Sequence, residues 1–397
     1  MSGREITASG REVPLSEGRA AGAPVHSPVK PAPWEPYIPV YFWLGGISAG
    51  SWLAATAEDV AGENDRALIR AGRYLSLLTL AGGTVLLIAD LGRPERFLNM
   101  LRIVRPRSAM SLGSWGLTLY GGAAGAAGAL QLLEDGFPVR SERLAAWSRG
   151  RLGRAIHLAG LPLALFVGGY TGALLASSST PAWAARRTVL GPLFLASAAS
   201  TGFAAVAAAL EATGRASPGV RRRLARAEAI ALAGEAALLA VDRAKATTLP
   251  SSAAATRAER LGRGLIVAAG IALPLVMNVA RAFAPEPGPP ARPRAIRPAR
   301  FGARRSRAVG GSGPSRPDGG SGRSRPDRGS GRTGPGTGSA LSGLVAAGFT
   351  LAGGLALRYL ITREGYRSAA MPGDTWAYAG GPAKSAGAGD GAGGGGA

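Results

Sequence analysis

The chain has 397 residues, 46% of them hydrophobic, a formal net charge of +22 and no cysteine. The missing cysteine excludes disulfides, thiolate zinc sites, iron–sulfur clusters and c-type haem attachment within this chain. The two histidines are His26, in a Pro-rich stretch, and His157, so a buried bis-histidine haem is excluded too.

Residues 1–36 are polar, lack an apolar run and lack the charged-then-apolar order of a signal peptide; they read as a disordered tail. Eight apolar segments follow, at about Ile38–Ala57, Leu68–Leu91, Leu112–Leu133, Ala155–Ala176, Val189–Leu210, Ala225–Val241, Leu261–Phe283 and Leu341–Ile361. Each is long enough to be a transmembrane candidate. The sixth is the weakest, because Glu228 and Glu235 interrupt it. Abundant Gly and Ala suit close helix contact in lipid. The expected layout is seven spans over 37–283, a disordered Arg/Gly/Pro-rich loop at 284–340, an eighth span at 341–362 and a tail at 363–397.

The loop contains back-to-back nonapeptides, SRPDGGSGR (315–323) and SRPDRGSGR (324–332). Thirteen basic residues fall between Arg281 and Arg332, opposed only by Glu286, Asp318 and Asp327. In a soluble chain such charge points to nucleic acid. Here arginine lies mainly between apolar runs, the pattern of loops at anionic lipid headgroups. A short internal echo links segments one and five: Phe42 precedes Gly50 by eight residues with Pro39 upstream, and Phe194 precedes Gly202 by eight with Pro192 upstream.

Ionisable groups inside apolar runs are costly in lipid and are therefore functional candidates. Glu58 and Asp59 close the first segment, either as boundary groups or as part of a charge path. Asp90 closes the second, with Arg93 three residues on, a spacing that lets the two neutralise each other at the turn. Glu235 lies mid-segment; it is a proton-relay candidate, or a partner for Arg243 or a neighbouring helix. His157 opens the fourth segment, as an interface histidine or as a donor to a quinone carbonyl. Tyr170, in FVGGYTGALLAS, can offer its hydroxyl to a ligand in a close-packed groove. Tyr37, Tyr41, Phe42 and Trp43 suit an interfacial belt or the wall around a ring-shaped ligand.

Three stretches together resemble the NrfD/PsrC family: IPVYFWLGGISAGSW (38–52), ADLGRPERFLNMLRIVRPRSAMSLGSWGL (89–117) and LPLALFVGGYTGALLASSSTPAWAARRTVLGPLFLASAASTG (161–202). GGLALRYLITREG (353–365) is similar to that family's last helix. The resemblance implies an all-α integral membrane protein of eight transmembrane helices in two four-helix bundles, without haem, in the bacterial plasma membrane. It implies a membrane anchor that exchanges electrons between the quinone pool (menaquinone or ubiquinone) and an iron–sulfur, ferredoxin-like partner, with a molybdopterin catalytic subunit beyond it. The quinone site it implies uses polar groups near the start of helix one and a tyrosine in helix four. Tyr170 matches the latter, whereas Tyr37, Tyr41 and Trp43 stand where relatives carry His or Asn. Quinone-binding candidates are thus Tyr170, His157, Tyr41 and Trp43. Asp90, Arg93, Glu58 and Glu235 are candidates for a proton path or ion network. The rival reading is a transporter or a structural anchor without redox work.

Overall fold

The computed structural model describes residues 4–6, 12–14, 29–30, 37–63, 65–138, 141–246, 256–284 and 337–378. The expected disordered loop and the tails lie mostly outside these residues. Within the N-terminal stretch, Arg4–Ile6 and Glu12–Pro14 pair as antiparallel three-residue strands, with Glu5 opposite Val13. Everything else of regular structure among the described residues is helical.

Eight long helices carry the fold: α1 (Tyr37–Ala61), α2 (Arg66–Asp90), α3 (Ala109–Glu134), α4 (Arg151–Ala176), α5 (Leu190–Ala212), α6 (Pro218–Ala246), α7 (Arg257–Ala282) and α8 (Thr337–Ala370). Local chemistry sets their starts. The Asp65 carboxylate accepts the Ala67 and Leu68 N–H groups and caps α2. Thr256 and Glu259 form a reciprocal capping box on α7. Within α7, Pro274 cannot donate to the preceding turn, and a π-helical turn at Ala268–Ala272 absorbs the mismatch. α8 runs nine residues past Ile361, because charge ends an apolar run without ending a helix.

Among the described residues, five helices are long and apolar enough to cross a membrane: α2, α4, α5, α7 and α8. Glycine and serine dilute α1 and α3, and α6 carries acids and arginines. α1 packs on α2 and α4, and α3 closes against α2 and α4. α5 packs on α6 and α8, and α7 closes against α6 and α8. The two sets meet mainly along α1 and α5, where Gly50 and Gly202 bring the backbones together. A Cβ on either would collide with the other helix's main chain. Phe42 and Phe194 meet edge to face at 6.2 Å just above this crossing. The echo extends further at the same sequence spacing. Gly62 and Gly214 follow the two helices with φ of 77° and 65°, and the buried acids Asp59 and Glu211 precede them.

Burial differs from that of a water-soluble protein at both the core and the surface. Arg73, Arg186, Arg358, His157, Glu228 and Glu235 are buried, while Leu78, Val85, Leu119, Ile230, Leu265 and Val276 face outward. An apolar surface around an apolar core that also holds partnered charges is what lipid selects.

Candidate functional site

At one end of the first helix set lies a cavity of about 130 Å³. It forms where α1 and α3 start, α2 and α4 end, and the short helix Phe97–Met100 crosses. Its walls are mainly apolar, including Ile38, Phe42, Leu87, Phe97, Leu117 and Leu174. The polar groups facing it are Tyr41, Asp90, Ser114 and Tyr170. Tyr170 donates to the Ala109 carbonyl, stacks on Phe166 at 5.0 Å and sits against Gly113, where any side chain would strike its ring. Ser114 donates to the Met110 carbonyl at 2.9 Å. Tyr41 lies against Gly83 and Phe42, and its hydroxyl has no hydrogen-bond partner among the described residues. A volume near the roughly 150 Å³ that holds a benzene ring, with one uncommitted phenol, suits a single aromatic or quinonoid ring.

Deeper in the same set, Ser48, Ser76 and Tyr120 bring three hydroxyls within 2.9–3.4 Å of one another. At 1.5 Å per residue, Ser48 lies about 10 Å along α1 from Tyr41. Beyond it, near the far end, Arg73 donates through Nε to His157 Nε2 at 3.0 Å and through Nη1 to Gln131 Oε1 and Ser148 Oγ at 3.1 and 2.8 Å. A guanidinium only donates, so Nε2 must accept and the His157 proton sits on Nδ1, 3.2 Å from Asp59 Oδ2. His157 is thus a neutral bridge between Asp59 and Arg73, and Trp52 packs edge-on against it at 5.5 Å. Asp135, just past α3, takes hydrogen bonds from Tyr74, Arg70 and Gln131. Burial opposes its charge, but those donors prevail and hold the carboxyl below its usual range.

The second set contains a ladder of acids on α6. Glu228, Glu235 and Asp242 recur every seven residues and are all buried. Thr350 donates to Glu228 at 2.6 Å, Ser200 to Glu235 at 2.8 Å and Arg186 to Asp242 at 2.9 Å. Arg358, on α8, donates to the Phe42 carbonyl at 3.1 Å and to Ser197 at 3.0 Å, with Phe194 beneath it at 5.5 Å. It thereby ties the cavity wall on α1 to the second set.

The sequence candidates therefore separate. Tyr41, Tyr170 and Asp90 share the cavity. Trp43 does not line it; its indole donates to the Leu351 carbonyl on α8 at 3.0 Å. Arg93 is exposed at the 3₁₀ turn Pro94–Arg96 and is not part of the lining. His157 is buried at the opposite end of α4. Glu58 also lies at that end, paired with Arg223 at 2.7 Å. Glu235 meets Ser200 rather than Arg243. Arg73, Arg358, Arg186 and Asp242 were not singled out by hydropathy. The usable signals were lone arginines inside apolar runs (RYLSLL, RYLITR) and the seven-residue spacing of acids on α6.

The profile of the family described as "Polysulphide reductase, NrfD" matches residues 25–281, more than half of the chain. The chain belongs to the NrfD family. The C subunit of polysulfide reductase from Wolinella succinogenes is 35% identical over 91 residues, covering 22% of this chain and 29% of that relative. The similarity thus spans under a third of this relative's length. The family match runs from just before α1 to the end of α7, and so contains the cavity, the Arg73–His157–Asp59 cluster and the acid ladder on α6. With five helices able to cross a bilayer and an outward apolar surface, this NrfD-family chain is a multi-pass membrane protein.

Proposed function

We propose that this NrfD-family chain is the membrane anchor of a respiratory oxidoreductase and binds a quinone head in the cavity between Tyr41 and Tyr170. The observation that carries the reading is the cavity itself: ring-sized and apolar, with an uncommitted phenol at Tyr41 and a carboxylate at Asp90. Tyr41 donates to one quinone oxygen. Tyr170, whose hydroxyl is committed to the Ala109 carbonyl, shapes the pocket and accepts from a hydroxyl of the reduced ring. Oxidation of a quinol releases two electrons and two protons; reduction of a quinone takes up the same. Electrons exchange with an iron–sulfur partner subunit docked on the cavity face, and terminal chemistry belongs to a further subunit, a molybdopterin enzyme. The name of the Wolinella relative supports assembly into a multi-subunit reductase.

All eight long helices cross the bilayer as two four-helix bundles in this reading. It is supported by the lengths of α1 and α3, by their packing among the five apolar helices, and by the shared spacing of features on α1 and α5. Protons reach the cavity through Asp90 on the near face, or through the hydroxyls of Ser48, Ser76 and Tyr120 from the His157–Asp59 end. Glu235 is a relay candidate in the second bundle. Arg93 belongs to the near-face charge of the partner-docking turn. Glu58 anchors the far face through Arg223 and is adjacent to Asp59.

The test is quinol turnover by the purified complex carrying Tyr41→Phe. Loss of one hydrogen bond of about 1–1.4 kcal/mol raises KM for quinol about five- to tenfold. Unchanged KM and kcat would remove Tyr41 from the site.

A further inference from the structure

Both helix sets leave an opening at the same end, and the two openings are lined with the same spacing. On α3 the cavity takes Met110, Gly113, Ser114 and Leu117; on α7 a groove of about 190 Å³ takes Glu259, Gly262, Arg263 and Ile266. In each case the opposite wall is the end of the last helix of the set. The equivalence rests on the two-bundle arrangement proposed above; the charge of the groove does not.

The chemistry of the two openings is opposite. The cavity in the first set presents phenols and one carboxylate. The groove presents three guanidiniums: Arg263, Arg363 and Arg367. Its two carboxylates pair with two of these, so the net positive charge of the groove centres on Arg363. Glu364 takes Arg263 at 2.8 Å and Arg186 at 3.0 Å, and Glu259 takes Arg367 at 2.7 Å. Arg363 is exposed and has no ion pair among the described residues. Below the charges the lining turns apolar at Ile266 and Leu360. A basic rim over an apolar floor, at the end of apolar helices, fits a ligand with an anionic head and a hydrocarbon tail.

We infer that this groove between α7 and α8 is a binding site for an anionic phospholipid, with the headgroup phosphate on Arg363 and its neighbouring guanidiniums and an acyl chain along Ile266 and Leu360. The bound lipid ties the C-terminal half of α8 to α7 on the face that carries the quinone cavity.

The experiment uses the full-length protein in detergent. Phosphatidylglycerol, phosphatidylcholine and inorganic phosphate are titrated separately, reading lipid adducts by native mass spectrometry and the thermal midpoint. Phosphatidylglycerol adducts are expected to persist and to raise the midpoint, with phosphatidylcholine and phosphate weak. Arg363→Glu lowers phosphatidylglycerol affinity about tenfold or more, since a charge-assisted contact becomes a repulsive one. Arg102→Glu makes the same charge reversal in an exposed loop outside the groove and leaves the affinity intact. Equal retention of phosphatidylcholine, equal stabilisation by phosphate alone, or wild-type affinity in Arg363→Glu would each overturn the assignment. Quinol KM is expected to stay unchanged in Arg363→Glu, which separates this test from that of the cavity.

Discussion

At the scale of single residues, the buried arginines Arg73, Arg186 and Arg358 are held by partners distant in sequence. Arg73 on α2 is neutralised and hydrogen-bonded by Glu134, Gln131, Ser148 and His157, which come from α3, α4 and the short helix before α4. Hydropathy alone hides such a residue, because one arginine barely lowers the mean of an apolar run. Tyr170 was legible because small residues surround it in GGYTG, and Gly113 supplies the matching gap on the facing helix. Arg73→Met removes the buried cation that donates to His157, Gln131 and Ser148, and leaves Glu134 paired with Arg66 alone. It is expected to destabilise the protein by about 3–5 kcal/mol, measured as a lowered thermal midpoint in detergent. Asp135 gives a pH test. Its folded carboxyl is held below the usual value, so its contribution is present above about pH 4 and is lost as pH falls through the folded pKa. Asp135→Asn is therefore expected to be less stable than the parent at neutral pH. That gap closes in acid; a gap independent of pH would assign the effect to packing.

At the scale of elements, the decisive feature is the α1–α5 crossing. Gly50 and Gly202 permit a backbone approach that no side chain tolerates, and Phe42 and Phe194 flank it. The sequence echo marked this pair of helices, since periodic Phe and Gly survive in a single chain. Helix ends were harder to read. α6 begins before its apolar segment and α8 continues beyond Arg363, because backbone hydrogen bonding does not stop at a charge. The π-turn in α7 follows from Pro274 meeting the close Gly270–Gly353 contact, which only the packed structure reveals. Gly202→Val forces α5 off α1. A loss of at least ~1–3 kcal/mol is expected, with weaker quinone binding because α1 carries Tyr41. An unchanged thermal midpoint would deny the crossing its structural weight.

At the scale of the whole molecule, the fold places a ring-sized cavity at one end of the first helix set, a hydroxyl cluster halfway along it and an Arg–His–Asp cluster at the other end. The second set carries its acids in a line on α6. Arg358 joins the sets, because it holds the Phe42 carbonyl in the cavity wall and lies close to Glu235 through Ser197 and Ser200. If Glu235 relays protons, Glu235→Gln alters the protons released per electron while leaving quinol affinity intact. Normal stoichiometry at full turnover would make it a structural group. The central claim is the location of the quinone. A photoreactive quinone analogue, cross-linked to the purified protein and mapped by peptide mass spectrometry, is expected to label the cavity residues Phe97, Met100, Met110, Leu117, Tyr170 and Leu174, with labelling reduced in Tyr41→Phe. Labelling confined to the His157 end or to the second helix set would contradict it.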